Sequence, residues 1–228
     1  MANMAMVTTL LEAEYVQATY NSISRQFDGS RFYMWPEVVR FLDSLPRGAL
    51  IADIGCGNGK YLNYRARDCT IVACDTSAEL LKIARERRAG CLSFSLGNML
   101  ALPYRGRLFD AVINIAVLHH ISTRERRIVA VKELLRIVRP GGRVCISVWA
   151  DEQVKKTKWQ LCNTNNSNTD YMIPFDKRNG EVIMRYYHLF TEADFRAVLI
   201  ECIGDEKTVL ESFVFDKDNW IAILRKII

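Results

Sequence analysis

The stretch Ala49-Leu50-Ile51-Ala52-Asp53-Ile54-Gly55-Cys56-Gly57-Asn58-Gly59-Lys60-Tyr61 leaves few options for the fold. A short apolar run that ends on an acid and breaks into alternating glycines reads as a buried parallel strand entering a tight turn. Glycine lets the chain turn sharply and brings backbone amides against a ligand with no Cβ in the way. Such a unit needs a parallel sheet around it and helices on the sheet's faces.

Two kinds of cofactor use a strand, a glycine turn and a helix, and spacing separates them. The dinucleotide fingerprint is G-x-G-x-x-G, whose third glycine packs helix on strand and whose amides hold a pyrophosphate. Here Gly55, Gly57 and Gly59 give G-x-G-x-G, and Lys60 stands where the third fingerprint glycine would be. Asp53 sets a carboxylate beside the turn, which repels a pyrophosphate and suits a cation. The pattern resembles motif I of class I S-adenosylmethionine-dependent methyltransferases, where the turn faces the amino-acid part and ribose of the cofactor. The glycines alone leave open a flavin or nicotinamide site, or a plain tight turn.

The rest of the chain fits an alternating pattern. Residues 8 to 27 read as a helix, and Pro36 opens a second one over Glu37 to Leu45. A short helix follows the glycine turn from Tyr61 to Arg67. Cys69 to Asp75 is a second strand, and its terminal acid can accept both hydroxyls of a ribose. Ser77 caps a helix to Arg88. Leu92 to Leu96 is a third strand, and the loop Gly97 to Pro103 follows it. Phe109 to Ile115 is the fourth strand. Arg124 to Val138 is helical, Pro140-Gly141-Gly142 ends that helix, and Arg143 to Trp149 is strand five. Thr191 with Asp194 starts a further helix, and Thr208 to Phe215 and Asn219 to Leu224 are the last strands.

The expected architecture is α/β: a Rossmann-like class I methyltransferase fold, a seven-stranded, mostly parallel sheet with helices on both faces. One domain is expected, with residues 1–48 as a helical lid and 151–190 as a mobile substrate-side insertion. Asp53, Asp75, Asn98 and His119 all fall at strand ends, where ligands of such sheets bind. The cofactor set expected is Asp53, Gly55, Gly57, Gly59, Lys60, Tyr61, Asp75, Asn98 and Met99.

Composition sets bounds. With 228 residues, half of them hydrophobic and a quarter charged, the chain suits one soluble domain. A net charge of +5 permits an anionic partner without establishing nucleic-acid binding. Seven cysteines with no C-x-x-C pair argue against a disulfide framework or a zinc site in this chain, and favour a reducing compartment. No apolar run approaches a membrane span. The compartment expected is the cytoplasm, with the nucleus compatible.

A narrower resemblance begins at Val117-Leu118-His119-His120-Ile121-Ser122-Thr123-Arg124-Glu125-Arg126-Arg127. It extends to Glu14-Tyr15-Val16 with Tyr20, Trp35-Pro36, Trp149-Ala150 with Glu152-Gln153, Arg185-Tyr186-Tyr187-His188, and Asp218-Asn219-Trp220. With Asp53 to Tyr61, these segments resemble the tRNA wobble-uridine carboxymethyl methyltransferases over nearly the whole chain. The resemblance implies methyl transfer from S-adenosylmethionine to the carboxylate of 5-carboxymethyluridine, giving a methyl ester. It also implies a small zinc-binding activator subunit. Two departures stand out: Asn98 replaces the family's usual aspartate, and the linker before Arg185 is shortened to an Asn/Thr-rich stretch.

A carboxylate is already nucleophilic at neutral pH, so this chemistry calls for alignment and desolvation rather than a general base. His119 is expected to shape the site or hydrogen-bond substrate; a base and a purely structural histidine are the alternatives. Arg31, Arg185, Tyr187 and His188 are candidates to hold the modified uridine, since arginine forks onto carboxylates. Trp149 either stacks on the base or packs in the core. Arg124, Arg126, Arg127, Lys155, Lys156 and Lys158 are candidate phosphate contacts, a solvated face being the other reading. The strand from Cys91 to Leu96 carries no lysine or proline to guard it and is the expected docking edge for the activator. A small-molecule O-methyltransferase and a non-catalytic cofactor-binding partner in an RNA-modification complex are the alternative functions.

Overall fold

The structure, a computed structural model, describes residues 10–29, 33–87, 91–153, 158–162, 168–177, 179–204 and 207–228. Its centre is a seven-stranded sheet in the order β3-β2-β1-β4-β5-β10-β9. The strands are β1 (Leu50–Ile54), β2 (Thr70–Asp75), β3 (Cys91–Leu96), β4 (Phe109–Ile115), β5 (Val138–Trp149), β9 (Thr208–Asp216) and β10 (Asn219–Lys226). The first five run parallel, and β10 and β9 close the far side antiparallel. In β1 four of five side chains are buried, as expected of a strand covered on both faces. One core, around Ile54, Val112, Val131 and Leu199, fills one side of the sheet. A second, around Phe41, Ile51, Leu62 and Ile113, fills the other.

The helices are α1 (Thr19–Asp28), α2 (Pro36–Asp43), α3 (Ala78–Glu86), α4 (Arg124–Ile137) and α5 (Glu192–Ile203). The side chains of Ser77, Thr123 and Thr191 accept from the amides of Leu80, Arg126 and Asp194, so three helix starts are capped, those at Ser77 and Thr191 as the sequence announces. A π-helical turn (Ala13–Ala18) runs directly into α1. Among the described residues no helix is long and apolar enough to cross a membrane.

Three local features differ from expectation. Residues 57–68 form successive turns with i→i−3 bonds, such as Leu62 to Gly59 (3.1 Å) and Tyr64 to Tyr61 (3.1 Å), instead of a regular helix. Pro140-Gly141-Gly142 lies inside β5 rather than before it: Phe109 pairs with Val138 and Ala111 with Arg143, so four residues bulge opposite Asp110. Gly142 makes this close approach possible, since a Cβ there would lie 2.7 Å from the Asp110 carbonyl. The stretch read as an insertion contains a second sheet of β6 (Gln160–Leu161), β7 (Asp170–Asp176) and β8 (Val182–His188). Residues 154–157, 163–167 and 178 of that stretch lie outside the described residues.

Candidate active site

At the donor end, β1 and β2 finish side by side and present Asp53 and Asp75 to one pocket. The Gly55 and Cys56 amides both donate to the Cys74 carbonyl (2.7 and 3.0 Å), which draws the glycine turn across the end of β2. Asn114 on β4 donates to the Ile54 carbonyl (2.8 Å) and braces the turn from the other side. The Asp75 carboxylate is fixed by the amides of Gly57 and Ser77 (both 2.8 Å). Asp53 is 3% exposed, and burial pushes its carboxyl up to about 8, with the Asp75 charge adding and Lys60 opposing. Asp75 is also raised, by burial working against the amide hydrogen bonds. Neither carboxylate has an ion pair among the described residues.

These residues fit S-adenosylmethionine. A sulfonium or ammonium beside Asp53 restores the charge balance that burial upsets, and Asp75 is held in place for ribose hydroxyls. Gly55, Gly57, Lys60, Tyr61, Asn98 and Met99 line the same pocket. Gly59 does not: at φ +81° its missing Cβ would meet Leu62 Cδ1 at 2.9 Å and Ala84 Cβ at 3.0 Å, so this glycine serves packing of the turn against α3. Asn98 Oδ1 already accepts from the Leu100 amide (2.9 Å), so an adenine amino group would share that oxygen.

The pocket's roof is the N-terminal helix, which contributes Glu12, Gln17, Tyr20 and Phe27. Asn21 Oδ1 accepts from Ser77 Oγ (2.7 Å), and Asp28 receives Asn58 Nδ2 (2.9 Å) and pairs with Arg87, tying the roof to the α3 side of the sheet. These roof residues fall in the stretch expected as a helical lid, and of them only Tyr20 belongs to the segments that carry the family resemblance.

The acceptor wall is aromatic. The rings of His119 and Tyr187 stack (4.9 Å, 15°), and Trp149 lies 4.8 Å from Tyr187. The Trp149 amide donates to His119 Nδ1 (3.2 Å), so a neutral His119 carries its proton on Nε2 and is a donor there rather than a base. His120 Nδ1 faces the Tyr186 carbonyl (2.9 Å), which can only accept, so Nδ1 donates. In the neutral ring Nε2 then accepts from Tyr20 Oη (3.0 Å). That assigns the next bond: Tyr187 Oη donates to Tyr20 Oη (3.0 Å). Arg185 Nη1 reaches the same oxygen at 3.4 Å. Arg185 is 4% exposed, lies over the rings of Phe175 and Tyr187, and leaves Nε buried with no partner. No carboxylate pairs with it among the described residues.

Residues 52–146 match the family model described as a methyltransferase domain. The chain is 34% identical to the tRNA (carboxymethyluridine(34)-5-O)-methyltransferase of Schizosaccharomyces pombe, over 94% of this chain and 97% of that protein. This chain belongs to that family. It is also 34% identical to the tRNA (carboxymethyluridine(34)-5-O)-methyltransferase alkbh8 of Xenopus tropicalis over 95% of this chain, and 46% identical to the Arabidopsis thaliana enzyme over 67%. It spans only 41% and 37% of those two longer relatives. Among solved structures, an S-adenosylmethionine-dependent methyltransferase of Methanosarcina mazei superposes with TM-score 0.69 at 19% identity, covering 86% of this chain and 99% of that one. A Haloferax volcanii methyltransferase, solved in complex with the Trm112 methyltransferase activator, gives TM-score 0.69 at 15% identity, with 93% and 98% covered. At these identities the likeness establishes the fold, which is that of class I methyltransferases.

Several residues expected at the family site have other duties. His188 is buried between Asp170 (Nδ1, 2.6 Å) and Asp194 (Nε2, 2.6 Å), where it joins β7 and β8 to α5 instead of facing the pocket. Arg127, expected on phosphate, is buried and donates to the Ile121 (3.0 Å) and Ser122 (3.3 Å) carbonyls. Arg126 lines the pocket but is held by Glu12 through Nε (2.9 Å) and Nη2 (2.6 Å). Arg124 pairs with Glu201 at 2.7 Å, and Lys158 is exposed. Arg31, Lys155 and Lys156 lie outside the described residues. Among the described residues no group of three or more His, Cys, Asp or Glu is gathered to hold a metal ion.

Proposed function

We propose that this chain esterifies the carboxylate of 5-carboxymethyluridine at the tRNA wobble position, with S-adenosylmethionine as methyl donor. The observation that carries the reading is Arg185. A guanidinium stays charged under any protein condition, and burying it without an anion is costly. Here it is set behind Tyr20 and Tyr187, which line the pocket, with an unpartnered Nε. A substrate that brings its own carboxylate completes that pair.

When bound, S-adenosylmethionine supplies an electrophilic methyl group; the protein's part is to bind and align. Asp53 holds the cationic end and Asp75 the ribose. Arg185, behind the Tyr20–Tyr187 wall, supplies the positive charge and His119 Nε2–H a donor that hold the acceptor carboxylate from one side, leaving an oxygen directed at the donor. No side chain needs to take a proton, because the nucleophile is already an anion. Trp149 beside Tyr187 offers an aromatic surface for the uracil ring.

Two partners belong to the same proposal. Among the described residues β3 is a sheet edge that pairs only with β2 and leaves Leu96 63% exposed, which suits strand addition by an activator subunit. Exposed Arg124 and Lys158 remain as tRNA phosphate contacts; Arg127 does not. The test incubates labelled S-adenosylmethionine with tRNA carrying 5-carboxymethyluridine, with and without the activator. A base-labile methyl ester is expected; label that survives base treatment, or no ester under either condition, removes the reading.

A further inference from the structure

We propose a second nucleotide subsite beside the donor pocket, between Trp35 and Trp149 and under the β9–β10 hairpin tip, for the nucleotide that flanks the acceptor uridine in an RNA strand. It rests on RNA being the acceptor and adds where the neighbouring nucleotide is held. Trp35, Trp149, Gln153, Lys217, Asp218 and Asn219 line this cleft, and the two tryptophans also line the donor pocket, so the spaces adjoin.

The hairpin tip is built at a cost. Asn219 pairs with Asp216, so Lys217 and Asp218 alone make the turn, at φ 47° and 62°. Such two-residue turns favour Asn-Gly, because a Cβ is unfavourable in the left-handed region. Lysine at the first position keeps an ammonium where glycine would be easier, and strain of this kind gathers at functional sites.

The tip is also locked in place. The Asp218 carbonyl accepts from the Ala150 amide (3.0 Å) and Gln153 Nε2 (2.7 Å). Asn219 Nδ2 donates to the carbonyls of Lys217 (2.6 Å) and Asp216 (3.5 Å). Those bonds settle which end of the carboxamide is nitrogen, and they leave Oδ1 with no partner in a side chain 4% exposed. A buried acceptor without a donor is costly on its own and is satisfied by a base or ribose that brings an N–H or O–H.

Cations and rings interleave around the cleft. Lys217 donates to the Tyr33 hydroxyl and sits 4.0 Å from that ring's centre. Lys60 donates to the Tyr33 carbonyl (2.8 Å) and lies 4.6 Å from the Trp35 ring centre. Flat surfaces for a base beside ammonium groups for its phosphate are what single-stranded RNA takes.

The test uses the full chain, saturated with S-adenosylhomocysteine, and fluorescein-labelled unmodified UpUpU read by anisotropy. Trp35→Ala should weaken binding about tenfold, the scale of one lost base stack, with Trp35→Phe in between. Lys217→Gly should weaken it too, flatten the salt dependence by about 0.7 in slope, and raise the melting temperature by releasing the left-handed strain. A merely structural turn would show the rise in stability without the loss of RNA. Absence of wild-type binding, unchanged binding in the variants, or a parallel loss of S-adenosylhomocysteine affinity in Lys217→Gly, which lies outside the donor pocket, overturns the subsite. Unmodified RNA carries no carboxylate, so a failed esterification with this binding intact would remove the reaction and leave the subsite standing.

Discussion

Asp53 at the donor end of the pocket and Arg185 behind its acceptor wall are both buried charges without an ion-pair partner among the described residues, yet they meet that cost differently. A carboxylate can neutralise itself by taking a proton, and Asp53, pushed up to about 8, does so at neutral pH until a cation arrives. A guanidinium has no such escape. Arg185 relies on ring faces and the Tyr20 hydroxyl instead. The donor end should therefore be tunable by pH, while the acceptor end is a fixed charge awaiting an anion.

The largest effect should come from the fixed charge. Arg185→Met is expected to lower kcat/KM for the carboxylate acceptor about 10²–10³-fold, the range for removing one partner of a buried charge pair. S-adenosylhomocysteine affinity, measured by calorimetry, should not change. The melting temperature should hold or rise, since the ligand-free state loses an unpaired buried charge. A matching drop in S-adenosylhomocysteine affinity would erase the distinction between the two ends.

The tunable charge gives the next effect. A cationic donor selects ionised Asp53, whose fraction rises as pH passes up through about 8. Affinity for S-adenosylmethionine should thus weaken by up to about tenfold per pH unit on going below that value, with proton release on binding. The sign for stability is opposite: the folded protein holds a proton that the unfolded chain releases near pH 4, so Asp53 makes the ligand-free fold less stable as pH climbs towards 8. Asp53→Asn should flatten both dependences. A pH-independent dissociation constant in the unaltered protein would show that Asp53 is already ionised.

The donor end was far more legible in the sequence than the acceptor end. Asp53, Asp75 and the glycine turn are local: strand, acid and turn occur in one segment, and strand ends converge by topology alone. Only Gly59 misled there, because G-x-G-x-G does not reveal which glycine meets a ligand and which meets Leu62 and Ala84. The acceptor wall depends on contacts across long separations, such as Tyr20 with Tyr187 and with His120, and nothing in the spacing of either residue announces the other. Arg127 and His188 show the same limit. Each looks like a surface or site residue in a motif, yet burial under the Ile121 carbonyl, or between Asp170 and Asp194, appears only once α4, α5 and β8 are packed. The roof helix lies within residues 1–48, the expected helical lid, and two of its pocket-lining residues, Val16 and Tyr20, stand inside motifs shared with the family.

His188 supplies the control for the comparison, because its charges are completed inside the protein. Each ring nitrogen faces a carboxylate oxygen at 2.6 Å, and a doubly protonated ring gives each of them a donor. The Asp194 carboxyl is held below its usual range: burial pushes it up, but the hydrogen bond and charge of His188, with Arg127 and Arg124 behind, outweigh that. A depressed carboxylate contributes stability above its unfolded value near 4 and loses it as pH falls through the folded value. Asp194→Asn should accordingly cost about 1–2 kcal/mol at pH 7 in chemical denaturation, the scale of one charged hydrogen bond, and the gap from the unaltered protein should close towards pH 3. The variant should leave the pH dependence of donor binding unaltered, because this cluster joins β7 and β8 to α5 and does not face the pocket. If Asp194→Asn instead shifts the pH profile of S-adenosylmethionine affinity, the ion cluster and the donor end are coupled, and the division between completed and waiting charges does not hold.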